Sequence, residues 1–299
     1  MFEQELKKID IREIEGVRFG NAQNFDAMTG VTALVFDRAN TCGIDISGGG
    51  PAARESFLFT PLAYKQSVTA LLLSGGSAYG LEAASGAMRY LEEREMGYKI
   101  GKGVVPIVPQ SCIFDLSAVS KVRPDIQMGY DACLDAEKNA EVKSGNFGGG
   151  TGASVGKICG LRQAQKAGIG YAAFSLGPLQ VGAVVIVNAF GDIFDFEKGV
   201  KVAGLMDEGR KHFLSTEEVL YKNILKVREG ENTTIGAVLT NAAFSQQECC
   251  KIASMTRAAF ARSINPVGTT GDGDTMYAIS LANEKNNLKV DINLVGILA

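Results

Sequence analysis

The chain has 299 residues, of which 46% are hydrophobic and 21% charged, with a net charge of −3 at neutral pH, the make-up of an ordinary globular protein. The acidic balance excludes nucleic acid as a partner, because phosphate binding needs clustered Lys and Arg. No apolar run approaches the length of a membrane span, so no membrane partner is expected.

From the N-terminus, Met1 to Gly20 scatters its charges and lacks the apolar core of a signal peptide. Val17 to Phe36 and Thr41 to Ser47 contain short β-like runs. Gly48-Gly49-Gly50-Pro51 closes them with a loop whose glycines let backbone approach backbone. Val68 to Leu73 reads as a strand and Ser74 to Ser77 as a tight turn. Leu81, Ala84, Met88 and Leu91 then fall on one helix face. A serine at a strand-turn-helix corner suggests the nucleophile elbow of α/β-hydrolases, but Gly75-Gly76-Ser77-Ala78-Tyr79 has Tyr where that motif needs its second Gly. Ser77 therefore reads as structural or substrate-lining.

Val104 to Pro109 is another short apolar run, and Asp131 to Lys143 reads as a polar surface helix. Gly148 to Gly152 fails as a phosphate loop, because Lys157 is followed by Ile158 instead of Ser or Thr, and it lacks the context of a dinucleotide site. It reads as a glycine-rich approach that delivers Lys157. Gly170 to Leu176 and Val181 to Ala189 form a hairpin across Gly177-Pro178-Leu179-Gln180. Asn188, near the end of its second strand, is an amide able to donate to a developing oxyanion, or else a turn residue with Gly191 and Asp192. Val200 to Glu229 is polar, Lys-rich and without β alternation, as expected of a linker, with His212 solvated inside it.

Gly230, Glu231 and Asn232 are turn residues, and the β-branched and apolar Thr234, Ile235, Val238 and Leu239 suit a half-buried strand. The Asn232–Thr233 junction thus falls at a strand's first residue. If that peptide bond were cut, Thr233 would carry a hydroxyl nucleophile and a free α-amine, and an amine titrating near ~8 can serve as its own base. The plain alternative is that Asn-Thr-Thr merely starts a strand. Ser245 and Glu248 make a capping box, and Cys249, Ile252, Ala253, Phe260 and Ile264 form one helical stripe until Pro266. In the loop from Gly268 to Thr275, alternation of an extended segment turns Asp272 and Asp274 to one side, where their repulsion raises one pKa unless Lys157 or the Thr233 ammonium lies between them. Met276 to Leu281 and Val290 to Leu298 read as closing strands. The part after Thr233 is too small to fold alone and must join the sheets of the first part.

The single histidine, His212, and six cysteines without a Cys-x-x-Cys pair leave no ligand set for zinc. No metal and no cofactor are expected. The cysteines read as reduced thiols of a cytoplasmic protein.

Five stretches carry a resemblance, in order, over most of the chain. They are Leu71 to Glu93 (LLLSGGSAYGLEAASGAMRYLEE), Gly145 to Lys157 (GNFGGGTGASVGK), Val181 to Asp192 (VGAVVIVNAFGD), Gly230 to Ala242 (GENTTIGAVLTNA) and Gly271 to Thr275 (GDGDT). Together they resemble the P1 family of self-processing peptidases, which includes D-aminopeptidases, β-peptidyl aminopeptidases and nylon-oligomer hydrolases. The resemblance implies a single α+β domain, an αββα sandwich with helices outside two packed sheets. It implies self-cleavage between Asn232 and Thr233 into residues 1–232 and 233–299, then cleavage of small peptides or peptide-like amide oligomers through an acyl-enzyme. It makes Thr233 the nucleophile, Asn188 with nearby backbone N–H groups the oxyanion site, and Lys157, Asp272 and Asp274 the groups that orient and polarise the threonine. Gly76, Ser77, Asn146 and Gln110 are expected at the substrate, and the assembly is expected to be a homotetramer of processed heterodimers.

Aminopeptidase members have an acid near the position of Gln110, whereas Val108-Pro109-Gln110-Ser111-Cys112 offers no carboxylate unless Asp115 compensates. The Asp-x-Asp of Asp272 and Asp274 resembles the nylon-oligomer hydrolases, not the Ser-x-Glu of the aminopeptidases. Three other readings stand beside this one. The chain would be an acyltransferase of the ornithine acetyltransferase kind, a serine hydrolase using Ser77 and His212, or a non-catalytic binding relative.

Overall fold

The structure, a computed structural model, describes residues 5–64, 67–116, 120–222 and 232–299. Its strands that position the site are β1 (Val17–Asn24), β2 (Thr29–Ile46), β3 (Ser67–Ser74), β4 (Gln110–Cys112), β5 (Ile169–Leu176), β6 (Leu179–Asn188), β7 (Thr233–Thr240) and β8 (Thr275–Ser280). The helices that cover them are α1 (Ala83–Glu92), α2 (Ile126–Ala136), α3 (Gln246–Thr256), α4 (Ala258–Ser263) and α5 (Ile292–Leu298).

The two runs expected around residues 17–47 resolve into β1 and one 18-residue strand, β2. Its register against β3 shifts between Val35 and Asn40. Before the shift β2 lies between β1 and β3; after it, β2 pairs with β8. This bend carries one hydrogen-bonded network from one sheet into a second, ordered β5-β6-β7-β8 and then β2.

Alternation of side chains along the strands makes three apolar layers. Val31, Ala33, Val35, Ala70 and Leu72 point outward against Ala83, Ala87, Ala132 and Cys133 of α1 and α2. Leu34, Phe36, Leu71 and Leu73 point the other way and meet Ile235, Ala237, Leu239 and Tyr277 of the second sheet. On that sheet's far side Val238, Met276 and Ala278 pack under Cys249, Ile252 and Ala253 of α3. Helix, sheet, sheet and helix are thus stacked as αββα. The segment after residue 232 is built into the second sheet: β7 lies antiparallel to β6 and parallel to β8.

The structure corrects the sequence reading in four places. The helix expected from Asp131 begins at Ile126, where the Asp125 side chain caps it by accepting from Met128 N–H, and it buries Ala132, Cys133 and Ala136. The expected linker is ordered as far as it is described. Val200–Ala203 pairs with Asp192–Asp195, and Thr216–Lys222 is helical. Buried Asp192 gathers this stretch, accepting from Lys201 Nζ at 2.7 Å, Leu205 N–H at 2.8 Å and Thr216 N–H at 2.9 Å. A tertiary anchor of this kind leaves no periodic trace in the sequence. The stripe drawn through Ile264 is broken at Arg257, and Ile264 pairs with Ile193 in a short strand. Finally, the run read as a closing strand from Val290 is the helix α5, whose Asp291 side chain accepts from Asn293 N–H. A short apolar run does not by itself distinguish helix from strand. Residues 223–229 of the expected linker and the turn residues Gly230 and Glu231 lie outside the described residues. Among the described residues no helix is long and apolar enough to cross a membrane.

Candidate active site

Asn188 is the last residue of β6 and Thr233 the first of β7, and the two are direct partners in the antiparallel ladder. The alternation that sends Val184, Ile186, Ile235 and Ala237 into the inter-sheet core sends these two side chains to the same side. They lie at the end of the sandwich, and both are buried. The Thr233 hydroxyl donates to the carbonyl of Asn232, the residue before it. The same carbonyl accepts the Gly273 N–H at 3.0 Å.

Asn188 is pinned at both ends of its amide. Its Oδ1 accepts from Ser154 N–H at 3.1 Å, and its Nδ2 donates to the Phe114 carbonyl at 3.0 Å. Lys157, buried, donates from Nζ to the Asn188 backbone carbonyl at 3.0 Å. The glycine-rich stretch therefore does deliver Lys157 to this end of the sheet, but to the strand beside Thr233.

The two aspartates sit differently from expectation. Asp274 Oδ1 accepts from Thr234 N–H at 2.6 Å and Oδ2 from Gly268 N–H at 3.2 Å. Asp272 Oδ2 accepts from Thr269 N–H at 2.6 Å. Neither carboxylate bonds the Thr233 hydroxyl in the uncut chain. The residue between them does face it: a Cβ on Gly273 would stand 2.8 Å from Thr233 Oγ1. Residues 272 and 274 flank the one that points at the threonine. Burial, followed by the nearby Asp272 charge, pushes the Asp274 carboxyl up to about 6.

The Gly48–Gly50 loop backs this arrangement. Ser47 N–H donates to the Asp274 carbonyl at 3.0 Å and Gly50 N–H to the Asp272 carbonyl at 2.9 Å. A Cβ on Gly48 would lie 2.2 Å from the Asp272 carbonyl oxygen, so the backbone contact expected of this loop is present.

A cavity of about 360 Å³ opens beside Asn188, lined by Phe114, Asp115, Ser154, Lys157, Lys166 and Arg210 among others. Its size suits a small-molecule site. Asp115 accepts from Gly76 N–H at 2.6 Å and from the Thr29 hydroxyl at 2.7 Å, and burial raises its pKa. Burial lowers that of Lys166, which donates to the Thr151 carbonyl at 2.8 Å.

The expected substrate residues divide. Gly76 supports Asp115 through its N–H, and Ser77 sits next to it at φ +50°, half-exposed at the start of a short helix. Asn146 donates from its side chain to the Ala167 carbonyl, a bond that ties its own loop. Gln110 is a correction. It is fully buried, its Oε1 accepts from Ala84 N–H at 3.1 Å, and its Nε2 donates to Ser74 Oγ at 2.7 Å and the Gly80 carbonyl at 2.6 Å. That amide braces the strand-helix corner and does not line the cavity. His212 is exposed, far in sequence and partnership from Ser77, and no contact joins them into a dyad. Among the described residues no group of three or more His, Cys, Asp or Glu side chains is arranged to hold a metal ion.

Residues 10–296 match Peptidase family S58. The chain belongs to that family. It is 36% identical to an uncharacterized aminopeptidase of Mycobacterium leprae, over 94% of this chain and 81% of the relative. It is 30% identical to the 6-aminohexanoate-oligomer endohydrolase of an Agromyces species, over 96% and 81%. Among solved structures it resembles the L-aminopeptidase D-Ala-esterase/amidase of Ochrobactrum anthropi, described as a variant of the Ntn hydrolase fold, with TM-score 0.67 and 17% identity over 94% of this chain and 78% of that one. A Burkholderia β-aminopeptidase matches with TM-score 0.62 and 20% identity, over 92% and 73%. The αββα sandwich is thus the Ntn-hydrolase fold, and the chain is a hydrolase of amide bonds.

Proposed function

We propose that this protein is a self-processing N-terminal-threonine amidohydrolase that cuts its own Asn232–Thr233 bond and then hydrolyses linear amides of small peptides or amide oligomers. The observation that carries the reading is the Thr233 hydroxyl bonded to the carbonyl of that same junction, at the first residue of a central strand. In the uncut chain Thr233 is only 4% exposed, with its hydroxyl engaged by the residue before it. Cutting frees the hydroxyl and creates the α-amine that activates it.

In turnover Thr233 attacks the substrate carbonyl, its amine carries the proton, and water releases the acyl-enzyme. Asn188 turns an amide proton toward the oxyanion, and Lys157 holds the Asn188 backbone in place beside the nucleophile. Substrate enters by the cavity at Phe114, Ser154 and Lys157. With Gln110 buried, the carboxylate that this cavity presents to a substrate amine is Asp115, while Lys166 and Arg210 offer positive charge to a carboxylate end. That pairing favours short linear amides bearing both ends. Asp272 and Asp274 act through the loop that faces the threonine. The working enzyme is a tetramer of processed heterodimers, which light scattering checks. It is cytoplasmic, in keeping with six unpaired thiols, five of them buried.

Intact-mass analysis with N-terminal sequencing tests the reading. Wild-type protein yields two fragments, the smaller beginning at Thr233, and Thr233→Ala stays one chain without amidase activity. A wild-type chain that remains whole yet hydrolyses amides would overturn it. Rates with and without an added amine acceptor separate hydrolysis from acyl transfer.

A further inference from the structure

Two donors meet the Asn232 carbonyl, and they have different futures in the reaction. The Thr233 hydroxyl must leave that oxygen in order to attack the carbon. The Gly273 N–H, at 3.0 Å, stays where negative charge develops. Asn188 makes no bond to this carbonyl in the uncut chain: one Nδ2 hydrogen goes to the Phe114 carbonyl, and Oδ1, an acceptor, is held by Ser154 N–H. We infer that the backbone N–H of Gly273 is the oxyanion donor for self-cleavage, and that Asp272 and Asp274 serve this step by aiming the Gly273 peptide. The inference rests on the self-cleavage reading above.

Three observations support the assignment independently. The donor is rigidly aimed. The Asp272 carbonyl, which belongs to the same peptide unit as the Gly273 N–H, accepts from Gly50 N–H at 2.9 Å. On either side Asp272 holds Thr269 N–H and Asp274 holds Thr234 N–H, each at 2.6 Å. Preorganised donors of this kind cost no reorganisation when charge appears. The position is also closed to a side chain, since a Cβ would meet Thr233 Oγ1 at 2.8 Å, the Gly50 carbonyl oxygen at 3.1 Å and Pro51 Cα at 3.2 Å. Finally, the contact follows from register: Asn232 bridges Asp272 in parallel, next to the β7–β8 ladder that begins at Ile235 and Thr275.

The step balances. Thr233 Oγ1 bonds the Asn232 carbonyl carbon as the C–N bond to Thr233 breaks, and the hydroxyl proton ends on the departing nitrogen. Water then opens the ester, giving its OH to the Asn232 carboxyl and its hydrogen to Oγ1. Net, one water is consumed. The tetrahedral oxygen of the first step is the atom that Gly273 N–H already holds.

Cell-free translation with glycolic acid at position 273 replaces that N–H by an ester oxygen and adds no atom. Self-cleavage, followed by intact mass, is expected to slow at least ~10²-fold, the usual loss for one oxyanion donor. Gly273→Ala is expected to slow it similarly, by displacing the hydroxyl, and by at least tenfold more than Asn188→Ala does. Thr233→Ala and Thr233→Ala/Gly273→Ala should both unfold cooperatively, the double variant at the lower midpoint, because the Gly50 carbonyl oxygen and Pro51 Cα still stand 3.1 and 3.2 Å from the methyl once Oγ1 is gone. An ester chain that cuts within threefold of wild type overturns the inference. Should the ester chain not fold, Asn188→Ala decides: self-cleavage slowed ~10²-fold or more in that variant would give the oxyanion to Asn188 and overturn the inference. Wild-type protein that never cuts is a different failure, that of the self-processing reading.

Discussion

The two sides of β7 at its first residues are made of the same amino acids and do opposite things. Thr233 faces the cleft between the sheets, beside Asn188 and Gly273, with its hydroxyl on the Asn232 carbonyl. Thr234, its neighbour, is buried under the helix layer, its N–H on Asp274 and its hydroxyl without a hydrogen-bond partner. Asp274 in turn borders a separate depression lined by Arg257, Ala258 and Phe260. In the proposed mechanism the chemistry belongs to the inner face and its support to the outer one. A strand's period of two is what keeps them apart.

Removing each hydroxyl in turn separates the roles of the two faces. Thr233→Ala is expected to abolish cutting and turnover, whereas Thr234→Ala should cut within a few-fold of wild type, as read by intact mass. Equal loss in both would erase the distinction between faces. Next in size, Asn188→Ala on the inner face should lower kcat by ~10²–10³ with little change in KM, the signature of a group that acts in the transition state. Steady-state kinetics on a short amide oligomer reads this directly.

The outer face has its own, smaller signature in the pH dependence of stability. The Asp274 carboxyl ionises near 3.8 in the unfolded chain and at about 6 in the fold. Between those values the unfolded state releases the proton while the folded state keeps it. Stability therefore falls as pH rises through the window of about 4 to 6 and stays low above it. In the uncut Thr233→Ala background, Asp274→Asn should remove a pH-dependent loss on the order of 3 kcal/mol, seen as diverging denaturation midpoints between pH 4 and 7. Parallel curves would mean that Asp274 is charged throughout. The smallest expected effect is that of a chelator: dialysis against EDTA should leave turnover unchanged, because among the described residues no group of three or more His, Cys, Asp or Glu is arranged to hold a metal ion. Activity restored by a divalent ion would show a site that these residues do not reveal.

Local pattern was enough to locate the strand at Thr233, the hairpin ending at Asn188, the capping box at Ser245 and the corner at Ser74 to Ser77, since each depends on neighbours within a few residues. What tertiary structure decided was the partner of each group. Asn188 and Thr233 are 45 positions apart in sequence and adjacent only because β6 and β7 pair in one register. Alternation placed Asp272 and Asp274 together, but the register against β7 chose the side, so Gly273 and not an acid meets Thr233. Gln110 is expected at the substrate by resemblance, and an uncharged polar residue carries no mark of burial in the sequence. Its amide is instead satisfied by Ala84, Ser74 and Gly80, which only folding brings within reach. Periodicity sets which face a side chain occupies relative to its own strand, whereas long-range pairing sets what that face confronts, and the reaction depends on the second.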